Sequence, residues 1–212
     1  YLFKYLKKNK KILAKKNNCI PNILYVSAKN KKRNRGFKIN KKIWLNNFLD
    51  ATKNKNVDLI IELIGGAEGP AKKLVFNALK NKKHVVTANK ALIAKYGDQL
   101  SKIAEKNKVN LEFEASVCGG VPIIRSLKEG LIANKISKVF GIFNGTSNYI
   151  LSSMDKENKS FEEVLNKAKK LGYAESNPSS DLNGDDVAAK LKILTSLCFN
   201  SFINNNIYVE GI

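Results

Sequence analysis

The chain has little from which to build a metal site or a disulfide framework. Among its 212 residues there are three cysteines, one histidine and one tryptophan. Cys19, Cys118 and Cys198 lie far apart, odd in number and without C-x-x-C spacing. That excludes a cysteine scaffold or zinc site and fits a reducing, cytoplasmic location. Acid is scarce as well, with 18 Asp and Glu against 38 Lys and Arg, a formal charge of +20. No apolar run approaches the roughly 20 residues that span a bilayer. The best, Val57–Gly66, is short and interrupted by Glu62, so no membrane partner is expected. The opening YLFKYLKKNKKIL lacks the apolar stretch and cleavage site of a signal peptide. It begins with Tyr rather than Met, so further sequence is expected upstream. A G-x-G-x-x-G fingerprint, which would place a pyrophosphate at a helix start, is also missing.

What is present is ample for one large domain or two small ones. The charge invites a nucleic-acid reading, because basic surfaces collect phosphates. Yet the lysines are spread over the whole length among many asparagines and isoleucines. All three are residues of A/T-rich codons, so the composition needs no polyanionic partner, and no nucleic acid is expected.

The first half alternates strands with helices. Residues 1–17 read as a helix burying Leu2, Phe3, Leu6, Ile12 and Leu13, and Asn22–Ser27 as a strand. Val57–Gly66 is a continuous apolar run ending in paired glycines, as expected of a buried parallel strand. Pro70 suits the first turn of a helix, whose buried face would be Ala71, Leu74, Val75, Ala78 and Leu79. His84–Thr87 and Leu111–Ala115 read as strands around a helix at Leu92–Asn107. This grammar predicts an α/β fold, a partial Rossmann-like parallel sheet, over residues 1–115. Residues 116–212 read as an α+β substrate and dimerisation domain. There Ser116–Pro122 is a glycine-rich turn, Ile123–Ala133 is helical, and Lys135–Phe143 alternates as a strand. Phe161–Leu171 is a helix closed by Gly172, and Asp185–Phe199 is the last helix.

The chemistry-bearing residues fall in a few places. GYAESNPSSDLNGDDVAAK, Gly172–Lys190, sets Glu175, Asp181, Asp185 and Asp186 against one lysine around a Pro/Gly turn. Acids gathered in so basic a chain suggest a site for a cationic group. Asp181 or Asn183 can cap the following helix, whose apolar stripe would be Val187, Leu191, Leu194 and Cys198, with Lys192 in solvent. Asp186 and Lys190, four apart, share a helix face; they are either a paired charge at the rim of a cleft or an ordinary surface pair. In KKHVVTANKAL, Thr87, Asn89 and Lys90 fall at the carboxyl edge of the sheet, where doubly wound folds bind ligands. His84 begins that strand with no carboxylate or nucleophile near it in sequence, and Cys118 has no neighbouring cation to activate it; both read as structural. The end of the second strand reads Ser27–Arg33, without the acid that binds a ribose 2′-hydroxyl. That basic loop is either a 2′-phosphate site, favouring NADP over NAD, or solvated lysine.

Taken in order, VDLIIELIGGAEGPAKKLVFNAL, KHVVTANKALIA, LEFEASVCGGVPIIRSL, GIFNGTSNYIL and GYAESNPSSDLNGDDVAAKLKIL resemble homoserine dehydrogenase. The resemblance implies an oxidoreductase that interconverts L-homoserine and L-aspartate 4-semialdehyde with NAD or NADP, on the route to threonine and methionine. It implies that Lys190 is the proton donor and Lys90 a second active-site lysine beside nicotinamide and substrate. Glu175 and Asp186, supported by Asp181, would hold the substrate amino group. Thr87, Asn89, Lys90, Gly172 and Glu175 would approach the cofactor. Glu114, Val117, Gly119 and Val121 would bind a monovalent cation such as sodium, largely through backbone carbonyls. A homodimer or larger oligomer is implied too. The missing glycine loop, and an end at Ile212 before the family's returning segment, lead us to expect a fragment of weakened cofactor binding. The competing expectations are a non-catalytic remnant that only dimerises, or a basic nucleic-acid-binding module.

Overall fold

The computed structural model describes residues 1–202 and 207–212. The helices are α1 (Leu2–Lys8), α2 (Lys10–Asn17), α3 (Asp50–Lys53), α4 (Pro70–Lys80), α5 (Lys90–Asn107), α6 (Ile123–Arg125), α7 (Gly145–Glu157), α8 (Phe161–Leu171), α9 (Ser179–Leu182) and α10 (Asp185–Phe199). Strands β1 (Leu59–Glu62), β2 (His84–Thr87) and β3 (Leu111–Glu112) form a parallel sheet in the order β1-β2-β3. The register pairs Leu59 with His84 through to Glu62 with Thr87, and Val85 with Leu111.

Each strand returns to the next through a helix, as parallel pairing requires. α4 starts at Pro70 and buries Ala71, Leu74, Val75, Ala78 and Leu79, the face its periodicity predicts. α5 buries Leu92, Ile93, Leu100 and Ala104. Both helices pack on the side of the sheet that carries Ile60, Val85 and Leu111. The other side carries Leu59 and Ile61, 46% and 38% exposed. The continuous apolar run in β1 predicted burial on both faces; in the described residues only one face is covered, because α4 and α5 lie on the same side. His84 is structural as expected: its Nδ1 accepts the Asn110 amide at 3.0 Å, linking β2 to the start of β3.

The ends of the first half depart from expectation. The single helix over residues 1–17 is divided at Asn9, and neither α1 nor α2 buries a residue. Phe3 instead stacks on Phe37 at 5.2 Å. The strand at Asn22–Ser27 is reduced to one parallel bridge, Val26 with Trp44.

In the second half the helices match more closely than the strand. α8 has a complete capping box from Ser160 and Glu163, and ends at Gly172 with φ of 80°. α7 and α8 enclose a small core of Ile150, Val164, Ala168 and Ala174. α10 spans the residues predicted, but Gly184 caps it, with φ of 82° and no side-chain bond. The reason is α9: that extra turn takes Asp181 away from the cap. The buried positions of α10 are Asp186, Ile193 and Leu194, with Ala189 and Leu197 packed beside them, and Lys192 is half-buried. The stripe is thus rotated from Val187, Leu191 and Cys198, because α10 lies against α5. Lys135–Phe143 forms no strand. A strand needs a hydrogen-bonded neighbour, and none reaches this segment among the described residues; Phe140 and Ile142 stand exposed.

Candidate active site

The site is assembled from three helix starts at the carboxyl end of the sheet. β1 and β2 end at Glu62 and Thr87. Beyond β2 the chain turns through Ala88 into α5, and Asn89 caps it by accepting the Leu92 amide at 3.1 Å. The Asn89 amide group also donates to the Gly66 carbonyl at 2.8 Å. Thr87 and Asn89 are therefore buried and their side chains serve the scaffold. Lys90 follows directly as the first residue of α5.

α10 brings in Asp186 and Lys190. Asp186 is 4% exposed. Its Oδ1 accepts from Lys90 Nζ, and its Oδ2 takes Lys190 Nζ at 2.6 Å and Asn144 Nδ2 at 3.0 Å. Burial pushes the Asp186 carboxyl up, but its bonds to Lys190, Lys90 and Asn144 outweigh burial and hold it below the usual carboxylate range. Its place in the first turn of α10 also suits a negative charge. Lys190 Nζ donates as well to the Phe143 carbonyl, at 2.7 Å. A lysine carries three N–H bonds, so one remains for a ligand.

Asn144 joins the acids of the last motif. It caps α7 by accepting the Ser147 amide at 2.8 Å, and its Nδ2 also donates to Asp181 Oδ1 at 2.7 Å. Ser147 Oγ donates to the Asp181 carbonyl at 3.0 Å. Asn144 is a member of this cluster that the candidate residues from the sequence did not include. Its signal was available: an Asn just ahead of G-T-S reads as a cap, although the second bond to two acids does not.

The remaining candidates lie outside this cluster. Glu175 is exposed in the loop after α8 and makes no hydrogen bond to Asp186, Asn144 or either lysine among the described residues. Its loop is tied to α7 where Thr146 Oγ1 donates to the Tyr173 carbonyl at 2.7 Å, and Tyr173 stacks on Tyr149 at 4.5 Å. Gly172 lies at the start of the same loop. Glu114 turns both carboxylate oxygens to the α6 start, accepting Ile124 N at 3.0 Å and Arg125 N at 2.8 Å. Val117 is buried, while Gly119 and Val121 are exposed in the turn that follows. The Cys118 carbonyl is taken by Val121 N at 2.9 Å. No group of three or more His, Cys, Asp and Glu is placed to hold a metal ion among the described residues.

The basic loop has an internal role. Arg35 donates to the carbonyls of Asn30 at 2.6 Å and Arg33 at 2.8 Å. Arg35 and Lys31 also stand over the Trp44 ring.

A parallel α/β sheet with charged groups gathered at its carboxyl edge belongs to the doubly wound class, which binds ligands at that edge. Comparison with known proteins narrows this. Residues 7–114 match the homoserine dehydrogenase NAD-binding domain model, and residues 122–212 match the homoserine dehydrogenase model. A homoserine dehydrogenase of Neisseria gonorrhoeae is 48% identical over 74% of this chain and 36% of its own length. The structure of one from Thiobacillus denitrificans superposes with a TM-score of 0.89 at 39% identity, over 99% of this chain and 48% of that one. A hyperthermophilic archaeal homoserine dehydrogenase in complex with NADPH gives a TM-score of 0.67 at 30% identity, over 73% of this chain and 48% of that one. The chain belongs to the homoserine dehydrogenase family, and it spans less than half the length of these relatives. No helix among the described residues is long and apolar enough to cross a membrane.

Proposed function

We propose that the chain carries the substrate site and the nicotinamide-facing edge of an NAD(P)-dependent oxidoreductase that interconverts L-homoserine and L-aspartate 4-semialdehyde, a step toward threonine and methionine. One observation carries this: Lys90, from the start of α5, and Lys190, from the last helix, converge on the Asp186 carboxylate.

The cofactor fits the carboxyl edge of the sheet. Gly65 and Gly66 follow β1 with φ of 87° and 78°, and a Cβ added to Gly65 would meet no atom within 4 Å. That bare backbone admits a ligand closely. Lys90 and the backbone of Thr87–Asn89 would border the same ligand, with Gly172 and Glu175 on the opposite loop. The bound nicotinamide supplies a hydride acceptor or donor. Everything else falls to side chains of this chain. As hydride reaches the aldehyde carbon, the oxygen becomes an alkoxide. The free N–H of Lys190 stabilises it and then gives up its proton; in the reverse direction Lys190 takes the proton back.

Asp186 has roughly four lone-pair positions and three donors on them, which leaves one for the substrate ammonium. Asp181, tied to Asp186 through Asn144, would support it, and Glu175 would approach the same group from its loop. A monovalent cation would rely on the carbonyls of Val117, Gly119 and Val121, since the Glu114 carboxylate is committed to α6. A homodimeric assembly in the cytoplasm completes the proposal.

The family matches favour the dehydrogenase reading over a basic nucleic-acid-binding module, and turnover separates it from a non-catalytic remnant. The test is homoserine-dependent reduction of NADP, and separately NAD, by the intact protein. Turnover with either supports it; a folded protein inert with both overturns it.

A further inference from the structure

Glu62 is fully buried at the end of β1, yet its partners among the described residues are all neutral. Its Oε1 accepts the amides of Ile64 at 2.6 Å and Gly65 at 2.9 Å, and its Oε2 accepts the Thr87 hydroxyl. A buried carboxylate is costly unless fully hydrogen-bonded, and an apolar side chain here would leave two backbone amides and a hydroxyl without their acceptor. What the acid does follows from where those donors lie.

The parallel register sets Glu62 beside Thr87. Thr87 Oγ1, while donating to Glu62, accepts the Asn89 amide at 3.0 Å. Asn89 returns to the Gly66 carbonyl and caps α5. The circuit Glu62, Thr87, Asn89, Gly66 thus closes on itself through the backbone of residues 62–66. It joins the ends of two strands to one helix start, and Lys90 is the next residue. The two carboxyl oxygens serve three donors, where a side-chain amide offers only one oxygen.

We propose that Glu62 is a positioning residue. Its carboxylate clamps the Ile64–Gly66 loop and, through Thr87 and Asn89, fixes the first turn of α5 and with it Lys90. The role of that geometry rests on the dehydrogenase reading, in which the loop faces the cofactor and Lys90 the substrate.

The test uses Glu62→Gln, which keeps the shape but exchanges one acceptor oxygen for a donor, in the intact protein. Amide hydrogen exchange at Ile64, Gly65 and Asn89 is expected to speed by about tenfold, as in a locally loosened segment. The cofactor KM is expected to rise by about tenfold, the scale of other supporting-partner losses. In a Lys90→Ala background Glu62→Gln should cost no further kcat, because residues acting through one another are not additive. Unchanged exchange at Ile64 and Gly65, or kcat losses that multiply in the double variant, would overturn the proposal. The exchange measurement needs no activity. Faster exchange in Glu62→Gln, alongside a folded wild-type protein that never oxidises homoserine, would retain the clamp and refute the dehydrogenase reading instead.

Discussion

Lys90 and Asp186, 96 positions apart in the chain, are joined in an ion pair at the rim of the core. The pair fastens α5 to α10, and Lys190 completes it from the next turn of α10. A carboxylate set between two ammonium groups is held below the usual carboxylate range and orders both lysines in space. The proposed proton transfer rests on that arrangement.

Lys190→Ala in the intact protein should reduce homoserine-dependent turnover by about 10²–10⁴-fold, the range ascribed to a positioned proton donor. NADP affinity, read by fluorescence titration, should change by less than about threefold, since the lost interaction forms mainly in the transition state. Turnover within a few-fold of wild type would remove Lys190 from the proton-donor role.

Asp186→Asn should raise the KM for homoserine by about tenfold or more, because a charge-assisted bond to the substrate ammonium becomes neutral. It should also lower stability by about 1–3 kcal/mol, the cost of leaving polar partners unsatisfied, discounted for the 40% exposure of Lys90. Steady-state kinetics and urea unfolding give both readings.

The depressed Asp186 value makes a signed pH prediction. Its folded pKa lies below the unfolded one, so its contribution to stability is complete above the unfolded value of about 3.9. The contribution is then lost as pH falls through the folded value. The urea midpoint should drop in that acid range for wild type, and drop less steeply for Asp186→Asn. Equal slopes in both proteins would show that the carboxylate gains nothing from its lysines.

Gly184 holds the start of α10 in a left-handed conformation, and a Cβ there would lie 2.6 Å from Val209 Cγ1. Gly184→Ala should therefore destabilise by about 1–3 kcal/mol and raise the homoserine KM by displacing Asp186. A thermal melt together with kinetics tests it; an unchanged melting temperature would mean that α10 tolerates the shift.

Core and surface leucine-class residues should separate cleanly. Leu79→Ala, at a fully buried position, should cost about 2–5 kcal/mol. Ile12→Ala, on a helix that buries nothing, should stay within about 0.5 kcal/mol. Urea unfolding of the two variants checks the placement of the core.

Features set within a turn or two of the chain were legible beforehand. The buried face of α4 follows from its spacing, Gly172 from the need for positive φ at a helix end, and the Asp186–Lys190 pair from their separation by four. The motifs Val57–Leu79, Lys83–Ala94 and Gly172–Leu194 pointed to the family before any contact was known. Features that depend on a partner were not legible. Lys135–Phe143 alternates like a strand but has no neighbour to pair with, and the apolar run of β1 is covered on one face only. The sequence by itself determined the start and buried face of α4, the glycine that ends α8 and the span of α10, because these depend on local periodicity and backbone preference. Tertiary structure alone decided that Lys90, Asn144 and Asp186 meet, and that Glu62 closes a circuit with Thr87. Strand register and helix packing bring those groups together, and no spacing along the chain encodes them.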